Sequence, residues 1–367
     1  MEDNVKYAKF LQKGGTIGCV APSFGCNIEP YHTAFQNAQE KWKKLGYGLD
    51  LGPNCYEGKG IGISNTPQAC GQELTDYYLS DKNDCLISCG GGELMCEILD
   101  YMDFEAIAKA EPKWYMGFSD NTNMTYLLAT MCDTAAIYGP CAAAFGMEPW
   151  HKSVKDAMGR LTGKKLSIQG YPKWEKESLK NAENPLIPYN VTQQKVLRCY
   201  DGRKEALSMP AGKIAADKMT KGRKNPEITF SGRLLGGCMD CLVNLLGTCY
   251  DHTTDFVEKY KEDGIIWFIE SCDLNVFGIR RAMWQMEHAG WFQHVKGFLI
   301  GRPYCYGQEM MGLDAYQAVL EVAARKNVPV IMDVDLGHLP PMMPLIVGSK
   351  ADVMVKGNQI AIDMKLE

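Results

Sequence analysis

Short apolar runs closed by glycine or proline alternate with helix-length amphipathic stretches along most of this chain, and that alternation leaves few ways to fold. Residues 16–21 read as a strand stopped by Pro22. Tyr31, Ala34, Phe35, Ala38 and Trp42 then recur at helical spacing within 30–45, with Gly46 as the stop. Residues 48–51 suggest a second strand, 68–79 a helix, and 85–89 a buried strand running into Gly90-Gly91-Gly92. The spacing predicts a helix over 96–108, a short strand over 114–118 and a helix over 122–131. Strands alternating with helices predict a parallel sheet covered on both faces, and so a first α/β domain at about 1–165.

Residues 166–230 differ. They are rich in Lys, Glu, Asn and Pro and read as a polar linker, lid or insertion. Periodicity returns at 232–247, followed by a buried strand at 264–270, a helix at 278–290, a strand at 295–301, a helix at 314–325 and a strand at 329–333. Weak alternation over 352–365 predicts a closing hairpin. A second α/β domain is expected at 231–367.

The 367 residues suit about two domains. Thirty-nine basic against 44 acidic side chains leave a net charge of −5. That balance argues against a nucleic-acid footprint and gives no polybasic patch for a membrane. No run reaches the ~20 apolar residues of a membrane span. The first ten residues carry acids and lack the apolar core of a signal peptide. Fifteen cysteines are scattered through apolar runs, an odd number in a chain long enough to bury a core without staples. They read as small buried hydrophobes of a reducing cytosol, so a cytoplasmic location is expected.

Four places carry candidate chemistry. Met116-Gly117-Phe118-Ser119-Asp120-Asn121 joins a strand to a helix. A serine on such a turn exposes its hydroxyl beside backbone N–H groups. Asn121 stands where a Gly-x-Ser-x-Gly elbow has its second glycine, and asparagine tolerates positive φ. The plainer reading of this motif alone makes Ser119 or Asp120 a helix cap. Gly90-Gly91-Gly92 allows close backbone approach and an anion nest, half of an oxyanion hole. Glu270 closes a hydrophobic strand, where α/β proteins build sites, or simply reaches water. His338 lies in a loop stiffened by Gly337, Pro340 and Pro341 and is either a base or a hydrogen-bonded loop histidine. Cys238-Met239-Asp240-Cys241, within an expected helix, is a single pair where structural zinc needs four ligands, so no metal is expected. Cys89 is an alternative thiol nucleophile. Trp267, Trp284 and Trp291 read as core; Trp174, in the polar stretch, is a candidate exposed platform.

Taken in order, these segments resemble the LD-carboxypeptidase family of serine peptidases. The resemblance runs through Gly15-Thr16-Ile17-Gly18-Cys19-Val20-Ala21-Pro22-Ser23, then Cys89-Gly90-Gly91-Gly92 with Ile98-Leu99-Asp100-Tyr101, then 112–122 around Ser119. It continues through Tyr138-Gly139-Pro140, Gly232-Arg233-Leu234-Leu235-Gly236-Gly237, Phe268-Ile269-Glu270 and Gly337-His338. It implies a flavodoxin-like N-terminal domain, a β-rich α/β C-terminal domain and an active site in the cleft between them. It further implies a Ser119–His338–Glu270 triad, with backbone N–H groups of Gly91 or Gly92 and of Asp120 as the oxyanion hole.

Arg302 and Trp174 are the substrate-contact candidates, Arg302 for a substrate carboxylate. The implied reaction cuts an amide next to a free carboxylate, without a cofactor. The implied substrate is a murein L,D-tetrapeptide or a peptidyl- or aminoacyl-nucleotide toxin. A homodimer is typical of the family. Gly-Gly-Gly-Glu at 90–93, Cys238 after Gly236-Gly237, and Tyr138 before Gly139-Pro140 depart from the family's usual Gly-Gly-Tyr-Gly, Gly-Gly-Asn and His-Gly-Pro. The long 166–230 stretch and Glu270-Ser271-Cys272-Asp273 resemble the microcin-immunity branch. A non-catalytic peptide- or nucleotide-binding protein with the same cleft is the alternative.

Overall fold

The longer apolar runs become strands buried on both faces. Every residue of Cys85–Ser88, Trp114–Gly117 and Ile265–Glu270 is inside, as parallel strands covered by helices must be. The computed structural model describes residues 4–202 and 219–367. The reading of the N-terminus rests partly on residues 1–3, and the polar stretch includes 203–218; those parts lie outside the described residues.

Two units emerge, one of Met1–Leu166, Glu177–Asn190 and Met343–Gly348, the other of Ser167–Lys176, Val191–Met342 and Ser349–Glu367. Strands are numbered along the chain. The first unit holds β1 (Thr16–Val20), β2 (Gly48–Leu51), β3 (Cys85–Ser88), β4 (Trp114–Gly117), β5 (Ala136–Tyr138) and β17 (Leu345–Val347). Its sheet runs β17-β5-β4-β3-β1-β2. β1 to β5 are mutually parallel, and β17 joins β5 antiparallel. The order β2-β1-β3-β4-β5 is that of flavodoxin-like folds, which bind ligands beyond the carboxyl ends of the strands where the order reverses, here between β1 and β3.

The second unit is richer in strands. β6 (Ser167–Gln169), β9 (Arg198–Asp201), β10 (Thr220–Lys221), β11 (Ile228–Cys238), β12 (Ile265–Glu270), β13 (Val295–Gly301), β16 (Pro329–Val334), β18 (Lys350–Lys356) and β19 (Gln359–Lys365) form one sheet. Its order is β10-β9-β16-β13-β12-β11-β18-β19-β6. The central β16-β13-β12-β11 block is parallel; the flanking strands are antiparallel. The closing hairpin at 352–365 is β18 and β19. Two small ribbons, β7 (Lys173–Trp174) with β8 (Gln193–Gln194) and β14 (Glu309–Met310) with β15 (Leu313–Asp314), complete the set.

Several local expectations change. In place of one helix over 96–108 there is a 3₁₀ turn, Met95–Tyr101, and a separate helix, Phe104–Lys109. Asp103 restarts the helix by accepting from the Ala106 N–H. Cys238 ends β11 and the helix begins only at Met239, so the Cys-x-x-Cys pair straddles a strand end. The described parts of 166–230 are no single insertion. β6 and β9 pair into the second sheet, while Glu177–Asn190 groups with the first unit. β6 escapes notice as a strand because Ser167 and Gln169 face outward and only Ile168 is buried. Met343–Gly348, read as part of the second domain, belongs to the first through β17. Among the described residues no helix is long and apolar enough to cross a membrane.

Candidate active site

In the first unit, β4 ends at Gly117 and the chain turns at Ser119. Phe118 is extended, and Ser119 has φ 62°, a left-handed value uncommon outside glycine. A 3₁₀ turn, Ser119–Asn121, leads into the helix Thr122–Cys132. The strained residue is the serine itself; Asn121, expected to take the positive φ, sits at −64°. The N-cap position of that helix is held by Asn121, whose side chain makes no cap bond.

Asn121 ties the turn together instead. Its Nδ2 donates to the carbonyls of Gly90 (2.8 Å) and Phe118 (3.1 Å), and its Oδ1 accepts from the Tyr115 hydroxyl. The glycine turn after β3 is thus fixed to the serine turn after β4. Gly91 lies so close that a Cβ there would come within 3.1 Å of Ser119 Cβ and 3.2 Å of its Oγ. A Cβ on Gly92 would meet the Ser23 Oγ at 2.2 Å. The structure therefore gathers Ser119, Gly91, Gly92 and Asp120 at the carboxyl ends of β3 and β4. The Ser119 N–H donates to the Tyr138 hydroxyl at 3.1 Å.

The Asp120 carboxylate points into the fold. It accepts from the Ser23 hydroxyl (2.6 Å), the Met95 N–H (2.9 Å) and Asn123 Nδ2 (3.2 Å). Burial pushes its pKa up to about 6 despite these bonds. Cys89 is fully buried, and desolvation, with the Cys26 and Cys55 thiols against it, raises its pKa well above the usual thiol value. Such a thiol is inert, so the Cys89 nucleophile is set aside.

In the second unit, Glu270 ends β12 and is 2% exposed, so it does not reach water. Its Oε2 lies 2.8 Å from His338 Nδ1. A carboxylate can only accept, so Nδ1 carries a proton, and in the neutral ring Nε2 is the nitrogen with the lone pair. Gly337 (φ 89°) and Gly301 make the contact possible. A Cβ on Gly337 would stand 2.6 Å from Glu270 Oε2, and one on Gly301 2.9 Å from Glu270 Cβ. Burial disfavours the His338 cation, but Glu270 and Cys272 outweigh it and raise its pKa well above the usual histidine value.

Asp240, inside the Cys-x-x-Cys, shapes the loop after Glu270. It accepts from the N–H groups of Cys272 (3.0 Å), Asp273 (2.8 Å) and Leu274 (3.1 Å). No sequence signal singled it out. Ser23 and Asn121 stood in quoted motifs, but nothing in the sequence assigned them the bonds they make here.

Two expectations fail. Arg302 is 1% exposed and bonded to the Asp335 carboxylate at 2.8 Å, so it offers no free charge to a substrate. Trp174 is 4% exposed, edge-on to the Tyr306 ring and beneath the Arg302 guanidinium, so it is no surface platform. Trp284, read as core, is half exposed on the helix Val276–His288 and stacks on His288.

Known proteins resemble this chain along most of its length. The family model for the LD-carboxypeptidase N-terminal domain matches residues 17–139, and that for the C-terminal domain matches 231–353. The microcin C7 self-immunity protein MccF of Escherichia coli is 23% identical over 361 residues, covering 96% of this chain and 94% of that protein. The structure of MccF in complex with glutamyl sulfamoyl guanosine superposes with a TM-score of 0.75 at 21% identity, covering 98% of both chains. That of the muramoyltetrapeptide carboxypeptidase from Oxalobacter formigenes gives 0.68 at 18% identity, covering 96% of this chain and 99% of that one. With family models matched across both of its units, the chain belongs to the LD-carboxypeptidase family and is a serine peptidase.

Proposed function

We propose that this chain hydrolyses an amide next to a free carboxylate in an aminoacyl- or peptidyl-nucleotide. In this reading Ser119 is the nucleophile, His338 the general base and Glu270 the group that orients the imidazole. Ser119 Oγ attacks the carbonyl carbon while its proton passes to His338 Nε2. The C–N bond breaks, and His338 returns the proton to the leaving nitrogen. Water, deprotonated by His338, then cleaves the acyl-enzyme ester and frees Ser119. The N–H groups of Gly91 or Gly92 and of Asp120 receive the oxyanion. The observation that carries the reading is the backbone of Ser119. A left-handed φ costs an L-residue about 1–3 kcal/mol and persists where function uses it.

The nucleotide substrate is supported by the two MccF complexes, with glutamyl sulfamoyl guanosine and aspartyl sulfamoyl adenosine. A murein L,D-tetrapeptide is the second reading, supported by the likeness to the muramoyltetrapeptide carboxypeptidase. A homodimer in the cytoplasm is part of the proposal, on the family resemblance.

The test has two arms. Mass spectrometry should show aspartyl sulfamoyl adenosine split by the wild type and not by Ser119→Ala. A fluorophosphonate should modify Ser119. Full turnover by Ser119→Ala sinks the mechanism. An unlabelled Ser119 with no turnover leaves a binding protein. Cleavage of murein tetrapeptide alone moves the substrate to the second reading.

A further inference from the structure

Arg302 belongs to no step of the proposed cycle, yet it is among the most fully buried charged side chains in the second unit. Its placement is informative. It follows β13 directly, and its guanidinium reaches both sides of the loop that carries His338. Nη1 donates to the Asp333 carbonyl at 2.9 Å, where β16 ends. Nη2 donates to the Asp335 carboxylate at 2.8 Å and to the Leu339 carbonyl at 3.4 Å. Two acceptors precede His338 and one follows it, so one planar, rigid group spans the loop. A lysine has no such fork.

The surroundings hold the guanidinium in place. The Trp174 ring lies 5.1 Å from it, on the ribbon β7, and the adjacent Glu175 N–H donates to the Pro340 carbonyl at 2.7 Å. The second oxygen of Asp335 accepts from the Tyr171 N–H at 2.7 Å and faces Lys195 at 3.7 Å. Asp333, at φ 62°, has its carboxylate bound by Arg198 (3.2 Å) and the Tyr316 hydroxyl (3.0 Å). The loop is thereby held at Asp333, Asp335, Leu339 and Pro340, and its imidazole meets Glu270.

A loop with two left-handed residues, Asp333 and Gly337, has no regular hydrogen-bond ladder to define it. Without external ties it would sample other conformations. A buried ion pair is a poor source of net stability, because desolvation offsets the attraction, but it is a good source of unique geometry.

We propose that Arg302 is a positioning residue that, through Asp335 and the Asp333 and Leu339 carbonyls, fixes the loop holding His338 against Glu270. The inference rests on the reading of His338 as the base only for its catalytic consequence; the clamp itself is a property of the second unit.

The test compares Arg302→Lys with wild type. Lysine keeps the charge and loses the fork. Isotope-labelled histidine reports the His338 titration by NMR in a chain with six histidines, with His338→Gln assigning the signal. The wild type should titrate above the ordinary histidine value and Arg302→Lys closer to it. With aspartyl sulfamoyl adenosine, kcat should fall about 10- to 100-fold with KM within about twofold, the cost of a misplaced base. The rate of Ser119 labelling by a fluorophosphonate should fall in parallel.

A folded Arg302→Lys with unchanged titration and unchanged labelling overturns the proposal. So does a loss confined to KM, which would make Arg302 a substrate ligand. Should Arg302→Lys fail to fold, Asp335→Asn carries the same readouts. If that variant unfolds too, the clamp is structural and the positioning role is overturned. Turnover retained by Ser119→Ala would sink the catalytic cycle and leave the titration, which needs no substrate, to judge the clamp.

Discussion

A protonated imidazole beside a buried carboxylate holds its proton more tightly than a free one. At His338 burial opposes the cation, but Glu270 and Cys272 together win, and the pKa rises well above the usual value. The proposed base must be neutral to work. kcat/KM should therefore climb with pH along a limb centred above about 6.5, the ordinary histidine value. Glu270→Gln should move that limb to lower pH and lower kcat by about 100-fold or more, since the imidazole loses its orienter. A pH–rate profile of both proteins checks this; a wild-type limb well below 6.5 would contradict it. The same shift has a stability consequence of definite sign. The folded chain keeps a proton the unfolded chain releases, so the stabilisation is complete below about pH 6.5 and is lost as pH rises through the folded value.

Among elements, the β11–β12 pair is the most demanding, because it carries Cys238 and Glu270 to adjacent strand ends. Gly236 in β11 lies opposite Phe268 at φ 149°, and a Cβ there would stand 1.8 Å from the Phe268 carbonyl oxygen. Backbone cannot move aside as a flexible side chain can. Gly236→Ala should cost about 3 kcal/mol or more. Gly247→Ala has a positive φ but open space around the new Cβ, and should cost only about 1 kcal/mol. Urea midpoints of the two variants make the comparison, and equal losses would refute the packing argument. Elements were legible to different degrees. β3, β4 and β12 are continuous apolar runs and were readable as strands. β6 was not, because it is an edge strand that buries only Ile168 and pairs with the distant β19; β9 was not, because it is four residues long, lies in a polar stretch and pairs with the distant β16.

For the whole molecule, all fifteen cysteines lie outside disulfides, eleven of them buried, three intermediate and Cys249 exposed. A chain of this size needs no staple. Maleimide should modify Cys249 first, then Cys96, Cys272 and Cys305 more slowly, and the remaining eleven only on unfolding. Intact-mass analysis with and without urea reads the count, and a reducing agent should leave Tm unchanged. Fast native labelling of Cys89 would contradict the burial on which its exclusion as nucleophile rests.

What the amino-acid sequence determined by itself was local. Apolar periodicity set strands and helices, glycine and proline set their ends, and Ser119, Glu270 and His338 each stood at a strand end or stiff loop. These depend on neighbours a few residues away. What only the tertiary structure decided was which polar groups remain available. Arg302 looked like a free cation after a strand, but Asp335, 33 residues on, takes its charge. Trp174 looked exposed in a polar stretch, but packing beneath Arg302 hides it. Asp240 looked incidental and organises three N–H groups more than thirty residues away. A buried polar group must find a partner wherever the topology brings one, and that partner is a property of the fold rather than of the local sequence.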